Sequence, residues 1–489
     1  MSKQAKLKIT QTLGILVASA LLFTNLGEAS YWLDEIFSVI NVADYASVQF
    51  ALEQSGGNRL FYYLVLWPWT ALFGDHEFVA RLQTGLTCIL ALCLLYALSK
   101  KFFGTKAALF ATFLLVANPF FIAYGRLARN YGLLVLLAIA SFFCLLSYLK
   151  SGQRKFLYLY TVINILMVLT HPVTAPFLLS QAIAILIFWN WKDISWGALF
   201  VSFSLAGLCY LAMPLVFGSP DSGQAEWLRP PDAAAVVQTL GGILGGHTGM
   251  ILFALLVFGF LLFEGMRNLR TGTQNENFRL SAFFAANFWL PVVLLIIVSY
   301  TIQPAFLDRY LIVILPAFVI SAGYVLSKIN NFGILVVACI FPLVALVSLN
   351  FGHTPATQGW REAADLIYSE YDEGDTVGFF VYYGHRPFNY YLERKLNGKE
   401  AEEFHFTELA DGPYFLNGGS RQPAHNAEAI QNLSLDHERL WFVVFGIDLF
   451  QEETINQEVA IRQDLEANYG TEMSISNFGL VTVYLYDLN

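Results

Sequence analysis

The feature that most constrains this chain is a succession of apolar runs, each close to 20 residues long and bounded by polar or charged residues. A run of about 20 apolar residues is what an α-helix needs to cross the hydrocarbon core of a bilayer. Charged residues make up only 13% of the 489 residues, about half the share of an ordinary soluble domain. The sequence therefore predicts a polytopic α-helical membrane protein.

Eleven of these runs are predicted to be membrane spans. They cover residues 9–28, 78–99, 107–124, 130–149, 156–170, 172–190, 195–217, 248–266, 280–301, 309–327 and 332–350. Basic residues of short loops accumulate on the cytoplasmic side of a membrane, and here every lysine of the predicted short loops falls on one side. This pattern predicts a cytoplasmic amino terminus and an extracytoplasmic carboxyl terminus.

The balance of charges changes after residue 350. Residues 351–489 contain 23 acidic and 8 basic residues, whereas residues 1–350 contain 14 and 20. We therefore expect a membrane domain over residues 1–350, with an outer catalytic loop at 29–77, and an extracytoplasmic soluble domain over 351–489. Helical patterns at 359–371 and 453–468 and strand patterns at 376–383, 440–445 and 480–486 predict an α/β fold for the soluble domain.

The first candidate site is the acidic pair Asp34 and Glu35, which follows the outer end of the first predicted span. A carboxylate that faces a cavity at the membrane surface can accept a proton from a substrate hydroxyl. The alternative is structural, with Asp34 as the N-cap of an interfacial helix that begins near Ile36. The pair alone leaves both interpretations open.

Six basic residues are predicted on the outer side of the membrane domain, and all are arginine: Arg59, Arg81, Arg126, Arg129, Arg229 and Arg309. A planar guanidinium suits bidentate binding of phosphate better than an ammonium group does. If residues 126–129 are helical, Arg126 and Arg129 lie on one face and could bind a phosphate together. Interfacial anchoring of the long side chains is the alternative.

His171 lies at the outer turn between the fifth and sixth predicted spans, and Arg309 and Tyr310 open the tenth. Each has a structural alternative, as a polar turn residue or as a local ion pair with Asp308. Ionisable residues are nevertheless almost absent from the middle of the spans and gather at one outer level. Ion-driven transporters more often place acidic groups or broken helices near the bilayer midplane. The pattern therefore predicts a site at the outer membrane surface and disfavours transport.

Several short motifs in chain order point to one family. They are Trp32-Leu33-Asp34-Glu35, Leu60-Phe61-Tyr62-Tyr63, Asn118-Pro119, Ala128-Arg129-Asn130-Tyr131, Thr170-His171 and Arg309-Tyr310-Leu311. With them the chain resembles the C-type membrane glycosyltransferases (GT-C), in the bacterial branch related to protein O-mannosyltransferases and lipid A aminoarabinose transferases. The resemblance implies a polyprenyl-phosphate sugar donor, an outward-facing site and inversion at the anomeric carbon.

The resemblance also places Asp34 at the family's catalytic acidic position and Arg129 at the arginine of its signature. The roles of the other residues are assigned from the chemistry that the transfer needs. Asp34 would be the general base and Glu35 its neighbouring support. The donor phosphate and sugar would be bound by Arg129, Arg59, Arg126, His171, Arg309, Tyr310, Tyr62 and Tyr131. Two departures from the family pattern bear on the donor and the acceptor. Asn58-Arg59 stands where relatives carry His-Pro-Pro or Lys-Pro-Pro at a donor-phosphate or acceptor contact, and Arg126-Leu127 stands where relatives often carry an acidic residue, which indicates a different acceptor.

The predicted function is an inverting transfer of a sugar from a polyprenyl-phosphate donor to an extracytoplasmic glycan, lipid or protein. We expect a monomer in the cell inner membrane with its active site facing the periplasm, and no nucleic-acid partner. No metal site and no obligatory cofactor are predicted, although a divalent cation stays an option. The alternatives are a lipid-linked glycan ligase or polymerase, a glycolipid flippase or transporter, and a receptor that senses glycans through the acidic domain.

Overall fold

The computed structural model describes residues 14–189, 195–218, 228–246, 248–271, 276–331, 335, 339–340, 342–344, 358–380, 384–396, 405–407, 410–411, 424–425, 430–446 and 452–489. The chain folds as two compact units. The membrane unit comprises residues 1–26, 42–220 and 228–351. The C-terminal unit comprises residues 27–41, 221–227 and 352–489.

The described part of the membrane unit is helical. Its α-helices are Gly14–Phe23, Tyr45–Gln54, Leu60–Phe73, Glu77–Phe103, Thr105–Val116, Pro119–Gly125, Tyr131–Ser151, Arg154–Thr170, Thr174–Phe188, Trp196–Phe217, Ala233–Leu244, Thr248–Thr271, Glu276–Thr301 and Leu315–Lys328, with a 3₁₀ helix at Asp308–Ile314. The first ten predicted spans each coincide with one of these helices or with two consecutive ones. The eleventh, residues 332–350, lies largely outside the described residues.

Length and composition single out the strongest membrane-crossing helices. Among the described residues, five helices are long and apolar enough to cross a membrane, or six if one bent pair counts as a single span. The five include Glu77–Phe103, Tyr131–Ser151 and Glu276–Thr301. The chain is thus a multi-pass helical protein of membrane type, while the number of eleven spans and their orientation stay predictions.

The bent pair lies at the third predicted span, where Thr105–Val116 and Pro119–Gly125 meet at 62°. Asn118 explains the break, since its side-chain Oδ1 accepts a hydrogen bond from the amide of Phe121 at 2.8 Å and so caps a new helix. Pro119 occupies the first turn of this helix, where a missing N–H costs nothing. The break ends one helix early and starts a short one that leads to residues 126–130.

Buried polar side chains connect the helices inside the membrane unit. Ser141 donates to Asn164 Oδ1 at 2.9 Å, and Tyr160 donates to Gln181 Oε1 at 2.7 Å. Gln181 Nε2 in turn donates to Ser141 Oγ at 3.1 Å, so three successive helices share one network. In a bilayer, where apolar contact with lipid competes with helix packing, such hydrogen bonds fix which helices associate.

The C-terminal unit contains a mixed sheet of five strands. The unit has strands β1 (Asp375–Phe379), β2 (His405–Thr407), β3 (Ala410–Asp411), β4 (Ala424–His425), β5 (Arg439–Phe445), β6 (Ser474–Phe478) and β7 (Val481–Asp487). The five-stranded sheet has the order β2-β1-β5-β7-β6, parallel from β2 to β5 and antiparallel beyond, and β3 pairs with β4. Its helices are Trp360–Glu370, His385–Lys395, Leu433–Asp436 and Glu452–Tyr469.

This α/β architecture confirms the fold class predicted for the soluble domain. The helices predicted at 359–371 and 453–468 and the strands predicted at 440–445 and 480–486 are present, with ends shifted by at most one residue. The strand predicted at 376–383 is β1, which ends at Phe379, and residues 381–383 lie outside the described residues. The sequence did not predict the helices His385–Lys395 and Leu433–Asp436 or the strands β2, β3, β4 and β6. The helix His385–Lys395 begins at His-Arg-Pro and is largely polar, although Phe388, Tyr391 and Leu392 share its buried face, while β6 reads Ser-Ile-Ser-Asn-Phe.

The loop that follows the first helix divides between the two units. The sequence analysis assigned all of residues 29–77 to the membrane domain, but residues 27–41 pack with the C-terminal unit. The carboxylate helix, Leu33–Ile40, contacts the helix His385–Lys395 of that unit. This association joins segments more than 300 residues apart, and no local pattern in the sequence reports such a contact.

Candidate active site

Asp34 lies within the first turn of the carboxylate helix. The helix begins at Leu33 with Trp32 as its N-cap, so Asp34 is not the cap that the structural alternative required. The carbonyl oxygen of Asp34 accepts a hydrogen bond from Ser38 Oγ at 3.0 Å. Its carboxylate is partly exposed, and the first turn of a helix favours negative charge because its amide groups point outward.

Glu35, in contrast, is fully buried. Its Oε2 accepts a hydrogen bond from the backbone amide of Trp32 at 2.9 Å, which is the return bond of a capping box. The two neighbouring carboxylates therefore occupy different environments. Asp34 is partly exposed, and Glu35 closes the amino-terminal end of the helix.

In the membrane unit, Arg59 begins the helix Leu60–Phe73 from a constrained backbone position. Its φ of 67° and ψ of 15° lie in the left-handed region, which non-glycine residues rarely adopt. The guanidinium Nε is buried and makes no hydrogen bond within the described residues. Residues held in such conformations cost about 1–3 kcal/mol and often occur at ligand sites.

Residues 126–130 form a turn, not a helix, so Arg126 and Arg129 do not share a helical face. Arg126 Nη1 donates to the carbonyl oxygen of Leu21 at 2.8 Å and thereby ties the turn to the first helix. The carbonyl oxygen of Arg129 accepts a hydrogen bond from Thr84 Oγ1 at 3.3 Å. The turn is thus held by the side chain of Arg126 and by the backbone of Arg129, a residue that is only 4% exposed.

His171 is buried and lies within electrostatic reach of three arginines. Burial and the positive charges of Arg59, Arg129 and Arg309 together lower the pKa of His171 well below its usual value. The imidazole Nδ1 accepts a hydrogen bond from the amide of Val173 at 3.2 Å. A neutral imidazole that accepts at Nδ1 carries its proton on Nε2, so His171 presents an N–H donor. We call Arg59, Arg129, His171 and Arg309 the basic cluster.

Aromatic rings line the same region. The ring of Tyr310 lies 4.7 Å from that of His171, and the guanidinium of Arg309 lies 5.8 Å from the Tyr310 ring. The Tyr131 ring lies 5.9 Å from the guanidinium carbon of Arg129. Cations at this distance from an aromatic face are attracted by its quadrupole, which helps to hold each guanidinium in place.

This arrangement of helices matches solved membrane enzymes along nearly the full length of the chain. ArnT from Cupriavidus metallidurans bound to undecaprenyl phosphate superposes with a TM-score of 0.61, covering 99% of this chain and 98% of ArnT at 13% identity. Its apo state gives 0.60 at 14% identity, over 98% and 97% of the two chains. This chain has the GT-C fold.

Further comparisons agree with the GT-C fold. The archaeal oligosaccharyltransferase AglB from Archaeoglobus fulgidus, in complex with an inhibitory peptide and a dolichol-phosphate, has a TM-score of 0.53 at 12% identity, covering 100% of this chain and 74% of AglB. Residues 60–215 match the family model described as dolichyl-phosphate-mannose-protein mannosyltransferase. No curated protein sequence matches the chain. The resemblance to C-type glycosyltransferases that the sequence motifs indicated is confirmed.

The predicted site residues of this GT-C chain fall into separate groups. Asp34 and Glu35 belong to the C-terminal unit, and the basic cluster with Tyr310 belongs to the membrane unit. Tyr62 is buried in the helix Leu60–Phe73, with its ring 6.1 Å from that of Tyr63. Arg126 is not among the charges that act on His171.

Two features of the membrane unit were missed as site residues by the sequence analysis. Tyr124 donates a hydrogen bond to Asp308 Oδ2 at 3.3 Å, and its ring lies 4.8 Å from that of Tyr131. The other Asp308 oxygen accepts from the amide of Arg309 at 2.6 Å. Asp308 and Tyr124 thus link the 3₁₀ helix to the turn at Arg129. Both lie at the ends of predicted spans, and this shared position was the signal that could have paired them.

Metal ligands are the remaining question for a site that contains carboxylates and a histidine. Among the residues that the structure describes, no group of three or more His, Cys, Asp or Glu side chains is arranged to hold an ion. The charges that act on His171 are those of guanidinium groups. The basic cluster can therefore balance a negatively charged ligand by arginine alone.

Proposed function

We propose that this chain is an inverting glycosyltransferase that moves a sugar from a polyprenyl-phosphate donor to an extracytoplasmic acceptor. The observation that carries the proposal is the buried His171, within electrostatic reach of Arg59, Arg129 and Arg309 and with the ring of Tyr310 at 4.7 Å, in a fold shared with ArnT bound to undecaprenyl phosphate. Guanidinium groups that lie near one another suit an anionic ligand, because they bind phosphate through charge-assisted hydrogen bonds. A lipid phosphate is such a ligand.

The proposed reaction is a single displacement. A hydroxyl of the acceptor attacks the anomeric carbon, and its proton passes to the carboxylate of Asp34. The bond between the anomeric carbon and the phosphate oxygen breaks, and its electron pair leaves with the phosphate as free polyprenyl phosphate. Positioned proton transfer of this kind supplies roughly 10²- to 10⁴-fold in rate.

Charge on the leaving phosphate is the second requirement. Arg129, Arg59 and Arg309 are proposed to neutralise it, and His171 to donate a hydrogen bond from Nε2. Tyr310, Tyr62 and Tyr131 are proposed to border the donor, with Arg126 as a more distant positive charge. Oriented donors in a buried site are effective because they need no reorganisation as charge develops.

The proposal places the enzyme in the inner membrane as a monomer with its site facing the periplasm. Sugar donors linked to a carrier lipid are suited to that side, where nucleotide sugars are not expected. A metal ion is not required by the proposed mechanism, because guanidinium groups can neutralise the phosphate. Activity that is lost in chelator and restored by one divalent ion would contradict this part of the proposal.

The first test is a transfer assay with the purified, reconstituted protein. A panel of polyprenyl-phosphate sugars is incubated with membrane extract, and release of free polyprenyl phosphate is measured for wild type and for Asp34→Asn. We expect release by the wild type and a loss of roughly 10²-fold or more in Asp34→Asn. Carrier binding and translocation without turnover would instead favour a flippase, and full activity in Asp34→Asn would eliminate Asp34 as the base.

A further inference from the structure

The carboxylate helix is attached to the folded core of the C-terminal unit by hydrogen bonds to its backbone. The amide of Leu33 donates to Gln358 Oε1 at 2.7 Å, across 325 positions of sequence. The amide of Tyr31 donates to the hydroxyl of Tyr391 at 2.7 Å. These amides lie on either side of Trp32, the N-cap of the helix. The start of the helix is therefore held by two side chains of the C-terminal unit.

Gln358 is itself fixed in the core of that unit. Its side chain is 1% exposed, and its Oε1 also accepts a hydrogen bond from Trp360 Nε1 at 3.3 Å. Its carbonyl oxygen accepts from the hydroxyl of Ser30. The next residue, Gly359, packs so closely on Phe478 that an added Cβ would lie 2.3 Å from a Phe478 carbon. Gln358 is therefore a rigid support.

Tyr391 is equally constrained. It lies in the helix His385–Lys395 and is 5% exposed. Its neighbour Tyr390 places its ring 5.8 Å from that of Tyr31 in an edge-on arrangement. In the same helix, Arg386 lies 5.7 Å from the ring of Phe37. One helix of the C-terminal unit thus contacts the loop both before and within the carboxylate helix.

The amide of Leu33 is one of the amino-terminal groups that a helix cannot satisfy internally. Here a glutamine from the C-terminal unit supplies the acceptor, and the next residue is Asp34. A carboxylate that must reach a hydroxyl within hydrogen-bond distance is sensitive to displacement, since an error of about 1 Å can cost about 10²-fold in rate. The two contacts restrain the backbone at the point where such displacement matters most.

We propose that Gln358 and Tyr391 are positioning residues, through which the C-terminal unit sets the location of Asp34. This inference rests on the proposed role of Asp34 as general base. It gives the C-terminal unit a function in the chemical step, distinct from selecting the acceptor. Neither residue needs to touch a substrate in order to act, because each acts through the backbone of the carboxylate helix.

The experiment compares Gln358→Leu and Tyr391→Phe with wild type in the reconstituted transfer assay. Both variants lack the acceptor oxygen and keep a similar shape. We expect kcat to fall about 10- to 100-fold in Gln358→Leu and up to about tenfold in Tyr391→Phe, with KM for donor and acceptor within about twofold of wild type. A rise in the acceptor KM with unchanged kcat would overturn the inference in favour of acceptor selection.

Tyr469→Phe is the matched control. Its hydroxyl donates to the carbonyl oxygen of Ile430 at 2.6 Å and accepts a hydrogen bond from the amide of Ser434 at 3.4 Å, both within the same unit. This variant loses one hydroxyl and the hydrogen bonds that it makes, so it reports the general cost of such a change. We expect its kcat to equal that of wild type. An equal fall of kcat in Tyr469→Phe and Tyr391→Phe would indicate a general loss of structure and would overturn the positioning role.

A double-mutant cycle separates positioning from other effects. If Gln358 acts through Asp34, adding Gln358→Leu to Asp34→Asn should not lower kcat further. If the two effects were independent, the two falls in kcat would multiply. If the wild type has no transfer activity, the proposed function is contradicted, whereas the attachment of the carboxylate helix is not. In that case hydrogen exchange of residues 27–41 still tests the attachment: Tyr391→Phe should accelerate exchange at Tyr31, and unchanged exchange in both variants would overturn it.

Discussion

The carboxylate helix and the basic cluster contain the residues proposed for one reaction, yet they are held in place differently. The basic cluster is fixed by contacts inside the membrane unit, such as the hydrogen bond from Asn130 Nδ2 to the carbonyl oxygen of Thr170 at 3.1 Å. The carboxylate helix is fixed by Gln358 and Tyr391 of the C-terminal unit. Donor binding should therefore depend on the membrane unit, and base positioning on the C-terminal unit.

The largest expected effect that tests this difference is at Arg129. Arg129→Gln should lower kcat/KM about 10²- to 10³-fold, because it removes a charged donor from the leaving phosphate. It should also weaken binding of polyprenyl phosphate, measured by displacement of a labelled carrier lipid. Arg129→Lys is the control that keeps the positive charge but loses the bidentate geometry. Its kcat/KM should lie between those of wild type and Arg129→Gln. If Tyr391→Phe weakened carrier binding as much as Arg129→Gln, the separation of roles would fail.

Arg59 should show effects of opposite sign on activity and stability. Arg59→Gly removes a positive charge from the basic cluster, so activity should fall about tenfold or more. Glycine adopts the left-handed conformation of residue 59 without the steric strain of a Cβ atom, so the substitution should also stabilise the membrane unit by about 1 kcal/mol. Thermal unfolding in detergent and the transfer assay measure the two effects. If Arg59→Gly lowered stability as well as activity, the left-handed conformation of Arg59 would not be a source of strain in the folded protein.

His171 makes the stability of the membrane unit depend on pH. The folded protein holds the pKa of His171 below its usual value, so below about pH 6.5 the unfolded chain binds a proton that the folded chain does not. Stability should therefore fall with acidification, by up to about 1.4 kcal/mol per pH unit until the folded pKa is reached. His171→Asn should show a smaller decrease of Tm between pH 7.5 and 5.5. Equal decreases would count against a buried neutral imidazole.

The smallest effects compare two helix caps. Glu35→Ala removes the bond to the Trp32 amide and should cost about 1 kcal/mol of stability. Asp44→Ala removes the corresponding bond to Ser47 at 2.7 Å, at the helix Tyr45–Gln54 of the membrane unit. Only Glu35→Ala should also lower kcat, because its cap belongs to the helix that carries Asp34. Equal kcat values for the two variants would show that the cap does not support the base.

Sequence reasoning located the helices well because apolar runs bounded by charges carry their own signal. The span predicted at 130–149 is the helix Tyr131–Ser151, and the positions of Arg129 and His171 next to helix ends followed from the ends of such runs. Whether residues 126–129 are helical stayed open, because the turn there is held by contacts to Leu21 and Thr84 and not by local propensity. The same limit hid Gln358 and Tyr391. A lone glutamine and a tyrosine in a polar helix have no periodicity that points to a partner more than 300 residues away.

The carboxylate helix is attached to the rest of the C-terminal unit through the backbone amides of Tyr31 and Leu33. An amide N–H is present whatever side chain a residue carries, so the hydrogen bonds to Gln358 and Tyr391 can form with any residue except proline at positions 31 and 33. The side chain of Leu33, which is partly exposed, can therefore change while its amide keeps the bond to Gln358. Chains that keep these two hydrogen bonds can therefore differ in the loop side chains that face an acceptor while the backbone position of the catalytic carboxylate stays the same.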